Sequence, residues 1–197
     1  MSRVTAHLSM SLDGFIAGPD QSLEDPIGAG GMRLLKWHDS SDLADVCALE
    51  ELLRPMGAFV MGRNMFGPVR GPWSGDWRGW WGDDPPYHAP VFVLTHHEHE
   101  PIEMAHDTTF YFVAGGLDAA LDRARDVAGE SDIRITGGAS TVRQALASGT
   151  IDDLYLDIAP ISLGRGESIF EQSQPAAFTQ LEATHSTSHT HIHYRVN

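Results

Sequence analysis

The chain has 197 residues, 42% of them apolar and 20% charged, with a formal net charge of −14. That length accommodates a real core in one domain or two small ones, and 1–197 is read as one domain. The acidic balance excludes a nucleic-acid groove, which needs a basic surface, and no run approaches the roughly 18 to 20 apolar residues of a membrane span.

The first residues carry one arginine and then alternate like a strand, so no signal peptide is expected. The single cysteine, Cys47, can close no intrachain disulfide, which fits a reducing cytosol and a cytoplasmic protein. With 13 Lys plus Arg, and Lys36 the one lysine, an anionic ligand must be held by backbone donors and a few placed arginines.

Residues 3–12, RVTAHLSMSL, alternate strictly. Val4, Ala6, Leu8, Met10 and Leu12 point one way, and Thr5, His7, Ser9 and Ser11 the other. Such a strand is either a sheet edge with a solvated face or a central strand whose polar face lines a pocket, and spacing does not choose. Asp13-Gly14 turns the chain. Phe15 to Gly18 resumes it as apolar, and 19–31 is a Pro/Gly/Asp-rich loop, a mobile lid or a disordered link. Leu43, Val46, Cys47, Glu50 and Leu53 predict a helix over 39–54, with Asp39, Ser40 or Ser41 as N-cap and Pro55 and Gly57 as its stop. Residues 57–64, GAFVMGRN, read as a buried strand that brings Arg63 to its carboxyl end, where open α/β sheets place ligands. The loop 67–86 holds four of the five tryptophans; it covers a site, forms a dimer surface or folds on its own aromatics. Strands follow at 90–97 and 109–113. An amphipathic helix carries Leu117, Ala120, Leu121, Ala124, Val127 and Ala128, and Gly129 stops it. Leu163 to Glu167 is a glycine-rich loop, and 179–183 with 189–196 form a terminal strand pair.

The stretch 132–160 reads as strand, double glycine, helix, turn and strand. Ile133 and Ile135 are the apolar beats of the first strand, and 154–158 is the second. The T-x-x-Q spacing from Thr141 to Gln144 fits a capping box and starts the helix there; Val142, Ala145 and Leu146 give it one apolar face, and Gly149 ends it. A crossover of this kind implies neighbouring parallel strands. Gly137-Gly138 before a helix N-terminus lets bare amides approach a phosphate, with Ser140 and Thr141 as hydroxyl donors. A tight turn that happens to use two glycines is the alternative.

His189, His191 and His193 share one strand face, and His96, His97 and His99 lie in a polar loop. Both sets have donors that zinc or copper accepts. A solvated strand face explains the first set more simply, and no metal is expected. Asp157 interrupts the apolar strand LYLDIAP, and a charge there costs several kcal/mol unless it is paired or faces a cavity. The chain contains no Walker loop, CxxC, HExxH, nucleophile elbow or G-x-G-x-x-G.

Four separated pieces, SMSLDGFIAG (9–18), FVMGRNMF (59–66), VFVLTHH (91–97) and ITGGASTVRQAL (135–146), together resemble the dihydrofolate reductase-like superfamily. Within it the chain is most similar to the reductase domain of the riboflavin-biosynthesis deaminase-reductase and its stand-alone bacterial counterparts. The resemblance implies an α/β fold, a mixed and mostly parallel sheet of about eight strands flanked by helices, with NADPH across the strand ends. It implies that Gly62, Arg63 and Asn64 meet the cofactor phosphates, and that Thr95 and His96 hold the adenosine 2′-phosphate. Gly137 and Gly138, a pair joined by a cis peptide in dihydrofolate reductases, hold the pyrophosphate with Ala139, Ser140 and Thr141. Ile16, Ala17 and Gly18 lie beside the nicotinamide, and His7, Ser9 and Asp157 line the substrate pocket. An acidic residue that bonds the pterin in dihydrofolate reductases has local candidates in Asp39, Asp42 and Asp45. The chain departs from the riboflavin enzyme in lacking a deaminase domain and in carrying Thr136 where an acidic residue often stands.

The expectation is an NADPH-dependent reductase of a small planar heterocyclic or carbonyl substrate, pterin- or aminopyrimidine-like. Asp157 or His7 is the proton donor, because hydride transfer to C=N or C=O also needs a proton. The alternative is a nucleotide-binding or regulatory protein that keeps the NADPH site without catalysis. A homodimer is expected, with no nucleic-acid or membrane partner.

Overall fold

The computed structural model describes residues 2–68, 71–73, 76–171 and 176–197. Its first strand, β1 (Val4–Ser11), lies inside the main sheet and is buried on both faces. Val4, Ala6, Leu8 and Met10 enter the main core, His7 and Ser9 line a cavity, and Leu12, just past the strand, is exposed. β2 (Phe15–Ala17) follows the Asp13-Gly14 turn. β3 (Ala58–Gly62), β4 (Pro90–Leu94), β5 (Ile102–Glu103), β6 (Thr109–Val113), β7 (Ile133–Gly137) and β8 (Asp153–Ala159) come next in the chain. β9 (Glu167–Ser168), β10 (Phe178–His185) and β11 (Thr190–Val196) complete the strands among the described residues. The main sheet has nine strands in the order β10-β11-β8-β1-β7-β3-β4-β6-β5, and β2 pairs with β9 in a separate two-stranded ribbon. From β8 across to β6 every pairing is parallel, and the two ends of the sheet close antiparallel.

The 132–160 unit is a crossover, but its strands are not neighbours. β7 and β8 both pair with β1, which lies between them. A strand with hydrogen-bonding partners on both sides and burial on both faces belongs in the middle, so β1 separates them. The helix between them, α4 (Ala139–Ala147), also begins earlier than the capping-box spacing predicts. The glycine pair already turns the chain, Gly138 is the N-cap without a side-chain bond, and Val142 N donates to Gly138 O at 3.2 Å. Gln144 Nε2 donates within the helix to Ser140 O at 3.2 Å, so no capping box forms.

One face of the sheet is covered by α4 and by α3 (Gly116–Ala128). Val4, Ala6, Leu8, Ile133 and Ile135 pack against Leu117, Leu121, Ala124, Val142 and Ala145. Each large apolar side chain so buried stabilises the fold by about 1.5–3 kcal/mol. Val127 departs from the predicted stripe and is half-exposed. On the other face Phe59, Met61, Val91, Val93 and Phe110 form a second core beneath the tryptophan loop. Trp81 stacks on Phe110, Trp77 Nε1 donates to Phe66 O at 2.8 Å, and Trp80 Nε1 donates to Met65 O at 2.9 Å. The loop thus folds on its own aromatics and on the sheet; its residues Val69, Arg70, Ser74 and Gly75 lie outside the described residues.

The helix expected over 39–54 is α1 (Leu43–Leu52), and a 3-10 helix (Gly31–Asp39) that the sequence did not signal precedes it. The N-cap is Asp42, whose side chain accepts from Ala44 N at 3.0 Å, not Asp39, Ser40 or Ser41. Its buried residue is Asp45, whereas Leu43 is 75% exposed and Val46 and Leu53 also face outward. Two polar contacts set this rotation. Asp45 is drawn inward to a histidine described below. At the other end the buried Arg134 of β7 donates to the carbonyls of Glu51 and Leu52 and to Glu51 Oε1, satisfying the helix C-terminus. After β3 a four-residue helix, α2 (Arg63–Phe66), replaces the predicted last turn of strand.

Candidate active site

A cavity of about 1080 Å³ runs along the carboxyl ends of β1, β3, β4 and β7 and down the polar face of β1. It is lined by His7, Ser9, Ile16, Ala17, Gly62, Arg63, Asn64, Thr95, His96, Gly137, Gly138, Ala139, Ser140, Thr141 and Asp157. These are the residues the motifs pointed to, except Gly18. Gly18 stands behind the wall, where a Cβ would come within 2.2 Å of Ala29 O, and its amide donates to Ile27 O at 2.7 Å. Its part is to hold the 27–29 loop against β2.

The wide end of the cavity has the chemistry of an anion cradle. The Gly137-Gly138 peptide is cis, and a Cβ at Gly138 would meet nothing within 4 Å, so its backbone faces open space. The first amides of α4 leave the helix without intrahelical acceptors. Across the gap, a Cβ on Gly62 would lie 2.5 Å from Thr141 Oγ1 and 3.3 Å from Gly138 N. Only a residue without a side chain lets β3 and α4 converge so closely. Arg63 stands beside them, its guanidinium 3.2 Å from the centre of the Trp73 ring. Arg63 Nη1 reaches Thr95 Oγ1 at 3.5 Å, while its buried Nε has no partner. Burial lowers the Arg63 pKa, and no carboxylate pairs with it among the described residues. A desolvated cation with a spare donor fits an anion that arrives with the ligand. His96 sits exposed at the rim.

The narrow end is a chain of buried titratable groups from four elements. His7 Nε2 lies 2.8 Å from Asp157 Oδ2, and His191 Nδ1 lies 2.7 Å from Asp157 Oδ1. His191 Nε2 is 2.8 Å from Asp45 Oδ1, and Ser188 Oγ donates to Asp45 Oδ2 at 3.2 Å. Burial pushes the Asp157 pKa up, but its bonds to His191 and His7 outweigh that and hold it below the ordinary carboxylate value. Burial likewise opposes charge on His191, and the two carboxylates reverse the sign, raising its pKa. Trp37, 1% exposed, donates from Nε1 to Ser9 Oγ at 2.9 Å and packs among His7, His38, His189 and His191. His7 Nδ1 and His38 Nε2 are buried and without partners. Of the three aspartates offered for the acidic role, the structure brings Asp45 to this cluster.

The H-x-H-x-H face is therefore not solvated. β10 covers the outer edge of β11, and His189 and His191 are buried. Nor do the three converge as metal ligands: His189 Nε2 meets Leu34 O at 3.1 Å, and His193 Nε2 meets Asp153 Oδ1 at 2.9 Å. The backbone carbonyl of His97 accepts from Trp73 Nε1, and the His99 ring packs edge-on to Trp73. Among the described residues, the one group of three or more His, Cys, Asp or Glu whose ligand atoms all lie within 4.8 Å of one another is Asp84, His88 and His106, all exposed.

Asp13 of S-L-D-G was read as a turn residue and does more. It accepts from Ser11 Oγ, Ser162 Oγ, Leu163 N and Gly164 N, fastening the 162–164 loop to the β1–β2 turn beside Ala17. The length of the motif's partner loop gives no sign of this contact, which spans about 150 residues.

This strand order, with its cis glycine pair at the head of α4, defines the dihydrofolate reductase-like fold. The dihydrofolate reductase of Enterococcus faecalis complexed with NADP(H) superimposes with a TM-score of 0.60 at 14% identity, covering 99% of this chain and 96% of that one. A protein assigned provisionally to riboflavin biosynthesis in Shewanella sp. PV-4 gives a TM-score of 0.66 at 22% identity over 100% of this chain and 99% of that one. A pyrimidine reductase-like protein of Corynebacterium diphtheriae gives 0.60 at 19% identity over 100% and 92%. No curated protein matches the sequence. More specifically, the chain belongs to the RibD C-terminal domain family, whose model matches residues 2–192.

Proposed function

We propose that the protein is an NADPH-dependent reductase of a small planar heterocyclic or carbonyl compound, pterin- or aminopyrimidine-like. The observation that carries this reading is the cradle formed by Gly62, Gly138 and the unpaired Arg63 at one end of a cavity whose other end holds His7 and Asp157. Family membership and the names of the similar proteins, a pyrimidine reductase-like protein and a dihydrofolate reductase among them, support it.

The residues present fit the cofactor. Gly62, Gly137, Gly138 and Ala139 would present backbone to its pyrophosphate, and Ser140 and Thr141 would add hydroxyls. Arg63, with Thr95 and His96, would face the 2′-phosphate, and Ile16 and Ala17 the nicotinamide. When bound, NADPH supplies a hydride. The protein holds the acceptor against the polar face of β1, with Ile16, Ile27 and Leu35 as apolar wall, and manages the accompanying proton through His7 and Asp157. Titration calorimetry with NADPH and NADH, followed by single-turnover oxidation of bound NADPH against pterins, aminopyrimidines and quinones, tests the reading. The expected result is tighter binding of NADPH and oxidation by a nitrogen heterocycle. No heat with either coenzyme overturns it, and binding without oxidation by any acceptor favours the regulatory alternative.

A further inference from the structure

Four buried ionisable groups in one hydrogen-bonded line ask for a definite proton inventory. Asp45 and Asp157 are acceptors when ionised, and each offers one oxygen to His191. An imidazole that donates from both ring nitrogens is a cation. His191 is then a positive charge clamped between two carboxylates. The second oxygen of Asp157 meets His7 Nε2, so that nitrogen carries a hydrogen, and in neutral His7 the lone pair resides on Nδ1. Nδ1 is the buried atom that lacks a partner, on a side chain 2% exposed.

We infer that His191 and Asp45 form a positioning couple that keeps Asp157 ionised and fixes the His7 tautomer, so that proton exchange with the substrate takes place at His7 Nδ1. For its substrate this rests on the reductase reading; the ring states it assigns do not. In turnover protonated His7 would hand its Nδ1 proton to the substrate nitrogen or oxygen, while NADPH, when bound, would supply the hydride that reduces the C=N or C=O bond to a single bond. His7 would be left neutral with Nε2–H on Asp157. Solvent then restores the proton. Asp157 cannot itself be the donor, because both its oxygens are occupied by histidines.

The groups that bear on His191 come from every element around it. Asp157 on β8 and Asp45 on α1 favour its charge. His189, which directly precedes β11, opposes it when itself protonated, and His7 on β1 and His38 on the 3-10 helix are the further imidazoles of the cluster.

Nitrogen-15 spectra of the histidine rings in the full chain, without cofactor or substrate, test this directly. At about pH 8, above the roughly 6.5 of an ordinary imidazole, His191 should show both nitrogens protonated, and neutral His7 should be the Nε2–H tautomer. Asp45→Asn removes one carboxylate without touching the cavity wall, and should expose a bare His191 nitrogen at the same pH. A bare His191 nitrogen in the wild type, an Nδ1–H tautomer of His7, or unchanged His191 signals in a folded Asp45→Asn chain overturns the inference. Should Asp45→Asn fail to fold, the wild-type spectrum and Ser188→Ala, which loosens Asp45, decide it. In an active enzyme Asp45→Asn should lower kcat about tenfold or more with KM little changed. It should also move the alkaline limb of the pH profile to lower pH, an effect a purely structural role would not produce. Coenzyme binding reports separately on the reductase reading, so the two fail independently.

Discussion

Gly62→Ala is the substitution that separates the cradle from the fold. At φ −78° and ψ 160° the backbone of Gly62 suits any residue, so alanine brings no conformational penalty. What it brings is a methyl 2.5 Å from Thr141 Oγ1 and 3.3 Å from Gly138 N. Thr141 is buried and β-branched, so its hydroxyl must leave its rotamer at a cost of about 1 kcal/mol. That strain should lower Tm by about 2–4 °C in a chain of this size. The larger effect falls on the ligand. The methyl occupies the gap through which a pyrophosphate would reach the amides of α4. Losing one charge-assisted hydrogen bond there costs about 1.5–3 kcal/mol, or roughly 10- to 150-fold in Kd. Calorimetric titration with NADPH, beside thermal unfolding of the same samples, reads both numbers. A Gly62→Ala protein that binds NADPH within twofold of the wild type would refute the reasoning that places the phosphates in this gap.

Arg63→Gln should weaken NADPH more than NADH by about tenfold or more, measured as the ratio of the two Kd values, because the desolvated guanidinium is the cation nearest Thr95. Arg134→Met keeps the volume but strips the C-terminus of α1 of its donors; unfolding in urea should show a loss of about 3 kcal/mol. Stability should also depend on pH through His191. Its folded pKa is raised above the ordinary 6.5, so its contribution is complete below that value and is lost as pH rises through the folded one. Tm should fall across that window in the wild type and be flatter in His191→Gln. Asp13 runs the opposite way, its pKa held low by its serine and amide donors. Its hold on 162–164 is complete above the ordinary 3.8 and is lost only as pH falls from there through the lower folded value, and Asp13→Asn should open that loop to limited proteolysis at neutral pH.

The strands were legible because burial on both faces writes itself as apolar runs, and β3, β4, β6, β7 and β8 all sit where those runs are. The cofactor end was legible because its parts are local: two glycines ahead of a helix, and a glycine and arginine closing a strand. The substrate end was not, because no two of its partners are near in sequence. His7 and Asp157 are 150 residues apart, and Asp45 and His191 are 146 apart. Each taken singly is a polar residue with an ordinary explanation.

The two misread patterns, the face of α1 and the face of β11, have one cause. Periodicity assigns a face by counting apolar residues, which assumes that charge goes outward. Here Asp45 and His191 neutralise each other in the interior, and that pair outweighs the preference of Leu43, Val46 and Leu53 to be covered. A carboxylate and an imidazole that cost several kcal/mol each when buried alone cost far less when buried together. Helix and strand therefore turn their polar residues to one another, and Leu43, Val46 and Leu53 take the surface. Fold and proton inventory are consequently coupled: Asp45→Leu, which would satisfy the helical pattern, should leave His191 neutral and α1 free to rotate. Loss of the inward Asp45 contact together with new burial of Leu43 in a crystal structure of that variant is the expected outcome. An unrotated helix would show that Arg134, not the ion pair, sets the orientation of α1.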